Sequence, residues 1–278
     1  MEFGIDISRW QGNFDFSRAK AEGVKFVIIK AGGADGGLYT DSMFATNYAN
    51  AKKAGLKVGC YYYADAYSVS QGTKQISHYL SIIRGKQFDY PVAIDIENKM
   101  IQQSKTTLDS IMRNMLNQLE QAGYWAAWYA GLECYYWHCD GPSMASRYTW
   151  WLPYWGSSCP NLPNIQMWQF GGEINYIRSN KIAGVVCDQD YSYKDFSSLI
   201  KSKGLNGYTK TVQPTLKVGS KIKLKADAKV YGTSKKFASF VYKSVFVVRE
   251  IQGNRVVFAP KSTGDITGAV DKAYITLV

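Results

Sequence analysis

The stretch Pro91-Val92-Ala93-Ile94-Asp95-Ile96-Glu97-Asn98 restricts the fold and the chemistry of this chain more than any other. Its apolar, β-branched residues predict a buried strand that ends in two acids. Because side chains alternate between the two faces of a strand, Asp95 and Glu97 project to the same side, with stems about 6.5 Å apart. Burial and mutual repulsion should raise the pKa of one acid and leave the other ionised, as in glycosidases. We expect Glu97 to be the proton donor, although the pattern also fits acids that cap a helix or bind magnesium.

Strands and helices alternate along the first two thirds of the chain. We predict strands at 3–7, 24–31, 57–63, 91–97 and 124–130, separated by helices at 15–22, 42–54, 69–84 and 106–121. Shorter strands at 149–152, 165–170 and 184–188 and a last helix at 193–203 follow. Since acids end several strands and converge only if the sheet curls shut, we expect a closed α/β barrel of about eight strands. No glycine-rich nucleotide motif follows a strand, so we expect no cofactor.

The end of the chain differs in composition from the rest. Residues 207–278 contain 13 Lys and Arg against 4 Asp and Glu, a net charge of +9 out of +11. Short β-like runs broken by polar turns predict a small all-β barrel at 214–278, joined by a linker at 206–213 to a first domain at 1–205. The charge favours a polyanionic partner, which could be nucleic acid, an anionic membrane surface or a teichoic-acid-bearing wall.

Four acids at predicted strand ends form one candidate site: Asp6, Asp95, Glu97 and Asp188. The aromatic residues predicted near them are Trp10, Tyr61, Tyr62, Tyr63, Tyr129, Trp151, Tyr154, Trp155 and Trp168. Carboxylates among aromatic rings suit a sugar chain, because pyranose rings stack on aromatic faces while the acids act on the glycosidic oxygen. We expect only some of these aromatic residues to contact a ligand and the others to pack in the core.

Metal chemistry has little support in the sequence. The chain has five cysteines and two histidines, and Cys134, His138 and Cys139 lie too close together in helix-like sequence to converge on one zinc ion. We therefore expect reduced thiols and no metal site. An amidase or peptidase, which needs zinc ligands or a cysteine–histidine pair, is a poor alternative for the same reason.

Seven motifs in order resemble those of glycoside hydrolase family 25, the Chalaropsis-type lysozymes. They are Gly4-Ile5-Asp6-Ile7-Ser8-Arg9-Trp10-Gln11-Gly12, Lys30-Ala31, Gly59-Cys60-Tyr61-Tyr62-Tyr63-Ala64, Asp95-Ile96-Glu97, Trp151-Leu152-Pro153-Tyr154-Trp155-Gly156, Met167-Trp168-Gln169 and Val186-Cys187-Asp188-Gln189-Asp190-Tyr191. The resemblance covers about residues 1–200. It implies a flattened TIM-like (β/α)5(β)3 barrel and hydrolysis of the β-1,4 bond from N-acetylmuramic acid to N-acetylglucosamine in peptidoglycan.

The resemblance also implies roles for individual residues. Glu97 matches the general acid, Asp95 the carboxylate that assists the anomeric centre or a substrate acetamido group, and Asp6 and Asp188 the outer acids. Substrate contacts are expected from Lys30, Tyr61, Tyr63, Tyr129, Trp151, Gln169 and Asp190. Net retention of the anomeric configuration is expected, by an enzyme nucleophile or by the substrate itself.

Two positions depart from the family pattern. Tyr62 stands where many members have a histidine, so a substrate hydrogen bond is expected to change. Asp190 stands where asparagine is common, which makes Asp188 and Asp190 rivals for the last acid role, and we prefer Asp188.

The C-terminal segments Lys217-Val218-Gly219-Ser220-Lys221-Ile222 and Ala228-Lys229-Val230-Tyr231 resemble bacterial Src-homology-3-like domains of wall-lytic enzymes. This resemblance implies binding of wall peptides or anionic wall polymers, and no nucleic-acid motif accompanies the lysines. No secretory leader or membrane span is visible at the N-terminus or elsewhere, so we expect no membrane insertion. The hypothesis is a muramidase, a phage endolysin made in the bacterial host cytoplasm that acts on the wall after release. The alternative is a non-catalytic wall-binding protein that keeps the barrel.

Overall fold

The structure, a computed structural model, describes residues 1–210 and 215–278. The chain forms two units, Met1–Thr211 and Val212–Val278, each with its own hydrophobic core. The predicted linker at 206–213 falls partly outside the described residues, which exclude 211–213. Its beginning belongs to the first unit, because Asn206 is fully buried, accepts the Trp125 N–H at 2.6 Å and donates to the Tyr90 carbonyl at 2.8 Å. The first unit therefore continues beyond residue 205.

The first unit alternates strands and helices. Its strands are β1 (Glu2–Ile7), β2 (Phe26–Gly33), β3 (Tyr39–Thr40), β4 (Lys57–Tyr63), β5 (Val92–Asp95), β6 (Ala126–Tyr129), β7 (Thr149–Pro153), β8 (Ile165–Gly171), β9 (Lys181–Ile182), β10 (Val185–Val186) and β11 (Asp188–Ser192). Its α-helices are α1 (Phe16–Ala21), α2 (Phe44–Lys53), α3 (Val69–Ile83), α4 (Lys105–Gln121), α5 (Gly141–Arg147) and α6 (Phe196–Lys203). Short 3₁₀ turns span Arg9–Gln11 and Asn98–Gln102, and a π-helical turn spans Cys134–His138.

Eight of these strands close into a barrel. Their order is β1-β11-β8-β7-β6-β5-β4-β2, and β1 pairs with β2 to complete the circle. Neighbouring strands are parallel except at β11, which is antiparallel to both β1 and β8. Helices follow β6 and the four barrel strands before it, and β7, β8 and β11 complete the barrel, which confirms the predicted closed α/β sheet of eight strands.

Two apolar layers hold the barrel together. The outer layer lies between the sheet and the helices, and α4 contributes a stripe at helical spacing: Leu108, Ile111, Met112, Met115, Leu116 and Leu119. The inner layer fills the barrel with residues such as Phe26, Ile28 and Met167, and Phe196 and Ile200 of α6 pack against it. The interior is thus a packed core, and open space remains at the rim that carries the carboxyl ends of the parallel strands.

The last barrel strand differs from our prediction at 184–188. Val185 and Val186 belong instead to a small hairpin of β9 and β10, and the barrel strand begins at Asp188. The prediction was wrong because the apolar pair resembles a buried strand, whereas the true strand, Asp188-Gln189-Asp190-Tyr191-Ser192, is mostly polar. Since β11 runs antiparallel, its first residue lies at the same rim as the last residues of the parallel strands, and Asp188 pairs with Asp6.

The second unit is built from β12 (Lys221–Leu224), β13 (Phe246–Gln252), β14 (Arg255–Ala259), β15 (Gly268–Asp271) and β16 (Ile275–Leu277). They form an antiparallel sheet in the order β15-β14-β13-β12-β16 around a core that includes Ile222, Val248 and Phe258. Within residues 215–278 this sheet is not closed, so the predicted small barrel is observed only as a five-stranded sheet. In the described part of the chain, no helix is long and apolar enough to cross a membrane.

Candidate active site

A cavity of about 160 Å³ opens at the carboxyl rim of the barrel, and all eight barrel strands or the residues directly after them contribute to it. Its lining residues are Asp6, Lys30, Tyr61, Tyr63, Asp95, Glu97, Tyr129, Trp151, Gln169 and Asp188. The structure therefore brings together ten of the eleven residues that the resemblance assigned to catalysis or substrate contact. Asp190 is the exception.

Asp95 and Glu97 face this cavity together. The strand β5 ends at Asp95, earlier than predicted, but Glu97 keeps extended backbone angles (φ −152°, ψ −175°), so the alternation of side chains continues through it. Asp95 lies in register with Tyr63 on one side and Tyr129 on the other. Asp95 is buried, whereas Glu97 is half-buried and so lies nearer to the opening.

The electrostatics of this pair differ from our expectation that only one pKa rises. Burial raises the pKa of both carboxyls, and the charge of Glu97 raises that of Asp95 further. The Lys30 ammonium opposes both shifts, and it lies 5.0 Å from the ring centre of Tyr63 and 5.7 Å from that of Tyr61. Asp95 Oδ1 has no hydrogen-bond partner among the described residues. The cavity thus favours a proton on this pair and leaves one buried carboxyl oxygen free.

Asp6 and Asp188 form the opposite wall, paired across β1 and β11. Gln169 Nε2 donates to Asp6 Oδ2 at 2.9 Å, while Gln169 Oε1 accepts from Tyr129 OH and from Trp155 Nε1, each at 3.0 Å. Burial, followed by the charges of Glu173 and Glu97, raises the pKa of Asp188 to about 6. Gln169 therefore orients Asp6, and the acids from both walls influence each other.

Asp190 lies behind this wall rather than in the cavity. Its side chain is fully buried, and Trp151 Nε1 donates to its Oδ1 at 2.7 Å. Burial raises the pKa of Asp190 to about 8. We expected Asp190 to contact a substrate directly, but its carboxyl is fully buried in this arrangement. Of the two rival acids, only Asp188 lines the cavity.

The aromatic candidates separate into three groups. Tyr62 was expected to affect a substrate hydrogen bond, but it points out of the barrel, where its hydroxyl donates to the Gly33 carbonyl at 2.8 Å. Trp168 is also buried in the outer core. Tyr61, Tyr63, Tyr129 and Trp151 line the cavity. Trp10, Tyr154 and Trp155 remain exposed by 78%, 42% and 41%, which leaves each of them accessible to a ligand.

Three residues of the site were not predicted. Asn98 has a left-handed backbone (φ 54°) directly after Glu97, and its Nδ2 donates to Tyr63 OH at 2.8 Å. A Cβ on Gly172 would overlap the carboxylate of Asp188 and the ring of Trp155, so only glycine fits there. Glu173 raises the pKa of Asp188 by its charge. Asn98 directly follows the central motif and could have been noticed as a turn residue, whereas the other two depend on contacts across the fold.

Comparison with known proteins identifies similar chains. The family model for Glycosyl hydrolases family 25 matches residues 5–177. The chain is 33% identical to Lysozyme M1 of Streptomyces globisporus over 202 residues, which are 67% of this chain and 65% of that protein. It is 34% identical to the autolytic lysozyme of Clostridium acetobutylicum over 159 residues, 57% of this chain and 47% of that protein.

A solved structure gives the same result for the fold. The bacterial lysozyme from Streptomyces coelicolor superposes with a TM-score of 0.59 at 25% identity, covering 72% of this chain and 95% of that one. The family match at residues 5–177 spans β1 to β8 and ends before β11, the strand that carries Asp188. Residues 212–278 also lie outside this match.

Proposed function

Because the chain belongs to glycosyl hydrolase family 25, we propose that it is a peptidoglycan hydrolase that cleaves the β-1,4 bond between N-acetylmuramic acid and N-acetylglucosamine. The observation that carries this proposal is a single cavity that contains Asp95, Glu97 and Lys30. In this cavity the charge of Glu97 raises the pKa of Asp95. Four cavity carboxyls with raised pKa values form an acid–base system, and no nucleotide or thiol chemistry is needed.

Glu97 is the proton donor in this proposal. Burial raises its pKa, so it keeps a proton closer to neutral pH than an exposed glutamate, and its position near the opening lets it reach the oxygen between two sugars. When the C1–O bond breaks, the proton of Glu97 passes to the leaving oxygen, and positive charge develops at C1 and the ring oxygen.

Asp95 stabilises that positive charge. Its buried carboxyl has an oxygen without a partner, and ionisation becomes favourable when a cationic centre forms next to it. Asp6, held by Gln169, and Asp188 act from the opposite wall by orienting the sugar or the attacking group. Tyr61, Tyr63, Tyr129 and Trp151 provide the walls on which the sugar rings pack.

We propose the second unit as a wall-binding module, and the protein as an endolysin made in the host cytoplasm that acts on the wall after release. The net charge of +8 on this unit suits anionic wall polymers. An open groove of about 640 Å³ in this unit is lined by Lys229, Tyr231, Asp271 and Tyr274 among others, a mixture of charge and aromatic surface that suits wall peptides. Attachment would keep the catalytic unit at high local concentration on an insoluble substrate.

Analysis of digestion products tests the proposed reaction. Purified walls treated with the full chain should release fragments with N-acetylmuramic acid at the new reducing end. New reducing ends on N-acetylglucosamine would indicate the other glycosidic bond, and free amines without reducing sugars would indicate an amidase or peptidase. Sedimentation with walls but no new reducing ends would support a non-catalytic binding protein.

A further inference from the structure

Asp190 is the one acidic candidate that does not line the cavity, and its surroundings are unusual for a carboxylate. It is fully buried on β11, directly behind the wall formed by Asp6 and Asp188. Trp151 Nε1 satisfies its Oδ1, but no protein donor among the described residues reaches its Oδ2. A buried charged oxygen without a donor is costly, so this oxygen needs a proton of its own or one from a neighbour.

The neighbour is the carboxyl of Asp6. The two acids lie on adjacent paired strands, with Asp190 opposite Gly4 and Asp6 opposite Asp188 in the register. Asp6 receives one donor, Gln169 Nε2, at its Oδ2, and it is also almost fully buried. Burial and the charges of Asp190 and Asp188 raise the pKa of Asp6, and the two carboxyls lie close enough for each to shift the pKa of the other.

We propose that Asp6 and Asp190 share one proton in a carboxyl–carboxylate hydrogen bond, and that Asp190 is thereby a positioning residue for the cavity acid Asp6. The shared proton satisfies the oxygen that lacks a donor. It also removes one negative charge from a group of five acids, which reduces repulsion of the ionised form of Asp95 during the reaction. The effect on the reaction rests on the proposed hydrolase function, whereas the shared proton is a property of the free protein.

Three other titratable side chains near the pair stay neutral in this range. Tyr61, Tyr129 and Cys187 face the acids, and burial holds each pKa well above its usual value, so these side chains stay neutral. Trp151 and Gln169 are not titratable. Asp188 titrates at about pH 6, below the value of about 8 for Asp190. The Asp6–Asp190 pair is therefore expected to lose a proton on the alkaline side, separate from the titration of Asp188.

Asparagine at position 190 gives a test that preserves shape. In Asp190→Asn the amide oxygen can accept from Trp151 and the amide nitrogen can donate to Asp6, so both hydrogen bonds remain but residue 190 no longer titrates. Asp190→Leu has similar volume and removes both. Each variant of the full chain is studied by thermal unfolding and by separate measurement of kcat and KM on soluble peptidoglycan fragments between pH 5 and pH 9.

The kcat of the wild-type protein should fall roughly tenfold between pH 7 and pH 9, because Asp190 has a pKa of about 8. KM should change less than kcat over the same range. Asp190→Asn should lack most of this loss. Its melting temperature relative to wild type should rise as the pH increases from 5 to 8. Asp190→Leu should have lower kcat at every pH.

Identical pH dependence of wild type and Asp190→Asn in both measurements would overturn the proposal, as would equal kcat values for the Asn and Leu variants. If Asp190→Leu does not fold, the comparison of wild type with Asp190→Asn still decides. The melting measurement needs no substrate, so it distinguishes failure of the shared proton from failure of the proposed hydrolase function.

Discussion

The pKa of each acid in the cavity depends on its burial and on the charges of its neighbours. Glu97, Asp95 and Asp188 all have pKa values raised by burial, and the charge of Glu97 raises those of the other two. Lys30 is the cation that opposes the shifts of Asp95 and Glu97. The free site therefore retains protons to higher pH than a solvent-exposed cluster would, which favours proton donation by Glu97 to a substrate oxygen.

Asp188→Asn should change the pH dependence of stability in a defined direction. The folded pKa of Asp188, about 6, lies above its usual value, so the folded protein binds this proton more strongly than the unfolded chain. Wild-type stability should fall as the pH rises from about 4 to about 6, and the Asn variant should lack this part of the fall. Urea unfolding of both proteins at pH 4 and pH 7 measures the difference. An equal difference at the two pH values would contradict the raised pKa.

Single residues also show what the sequence could reveal. Asp6, Asp95 and Glu97 were identified because apolar runs mark the strands that end beside them. The same alternation that placed Asp95 and Glu97 on one face places Tyr62 on the opposite face from Tyr61 and Tyr63, so its outward position was predictable and was missed. The burial of Asp190 was not predictable, since it depends on Asp6 and Trp151 in distant parts of the chain.

At the level of elements, the barrel depends on α6 as much as on its strands. Phe196 of this helix is fully buried, with ring centres 5.6 Å from that of Tyr90 and 5.8 Å from that of Trp125. Ile200, one turn later, belongs to the same inner core. Packing of α6 against this core, on which the cavity residue Trp151 also packs, links a helix outside the site to the residues of the site.

Phe196→Ala should destabilise the first unit by about 3–5 kcal/mol, because a large buried ring leaves a cavity that the rigid barrel cannot fill. The matched control is Leu199→Ala on the same helix, whose side chain is partly exposed and should cost about 1 kcal/mol or less. Denaturant unfolding measures both. Similar losses in the two variants would show that α6 does not complete the inner core.

The order of strands and helices was predictable through β6, but the polar strand β11 at the end of the barrel was not. Alternating strands and helices through β6 have clear apolar periodicity, and the observed elements follow the predicted ones closely. The strand β11 has a polar sequence because Asp188 lines the cavity and Asp190 supports it, so a functional requirement replaced the apolar pattern. In the second unit, β15 has a weak sequence signal for a simpler reason, since Gly268-Ala269-Val270-Asp271 is short and lacks a strong alternation.

Over the whole molecule, charge and catalysis are assigned to different units. Residues 1–206 include the cavity and carry a net charge of +2, whereas residues 207–278 carry a net charge of +9. Each unit has its own hydrophobic core. Binding to walls and hydrolysis of the glycan should therefore be separable by truncation.

Removal of residues 212–278 should reduce retention on purified walls by roughly tenfold or more and spare hydrolysis of soluble peptidoglycan fragments. Co-sedimentation with walls at several salt concentrations measures the first effect, and reducing-end release from soluble fragments measures the second. Unchanged retention after truncation would remove the case for a wall-binding module.

The most direct measurement for the central claim is the rate of reducing-end release by Glu97→Gln, compared with wild type and with Lys105→Gln, an exposed substitution away from the cavity. The account predicts a loss of roughly 10²–10⁴-fold for Glu97→Gln, because its amide cannot protonate the glycosidic oxygen, with an unchanged melting temperature or a higher one. Lys105→Gln should retain wild-type rates. A folded Glu97→Gln protein that releases reducing ends at a rate near that of wild type would contradict the account.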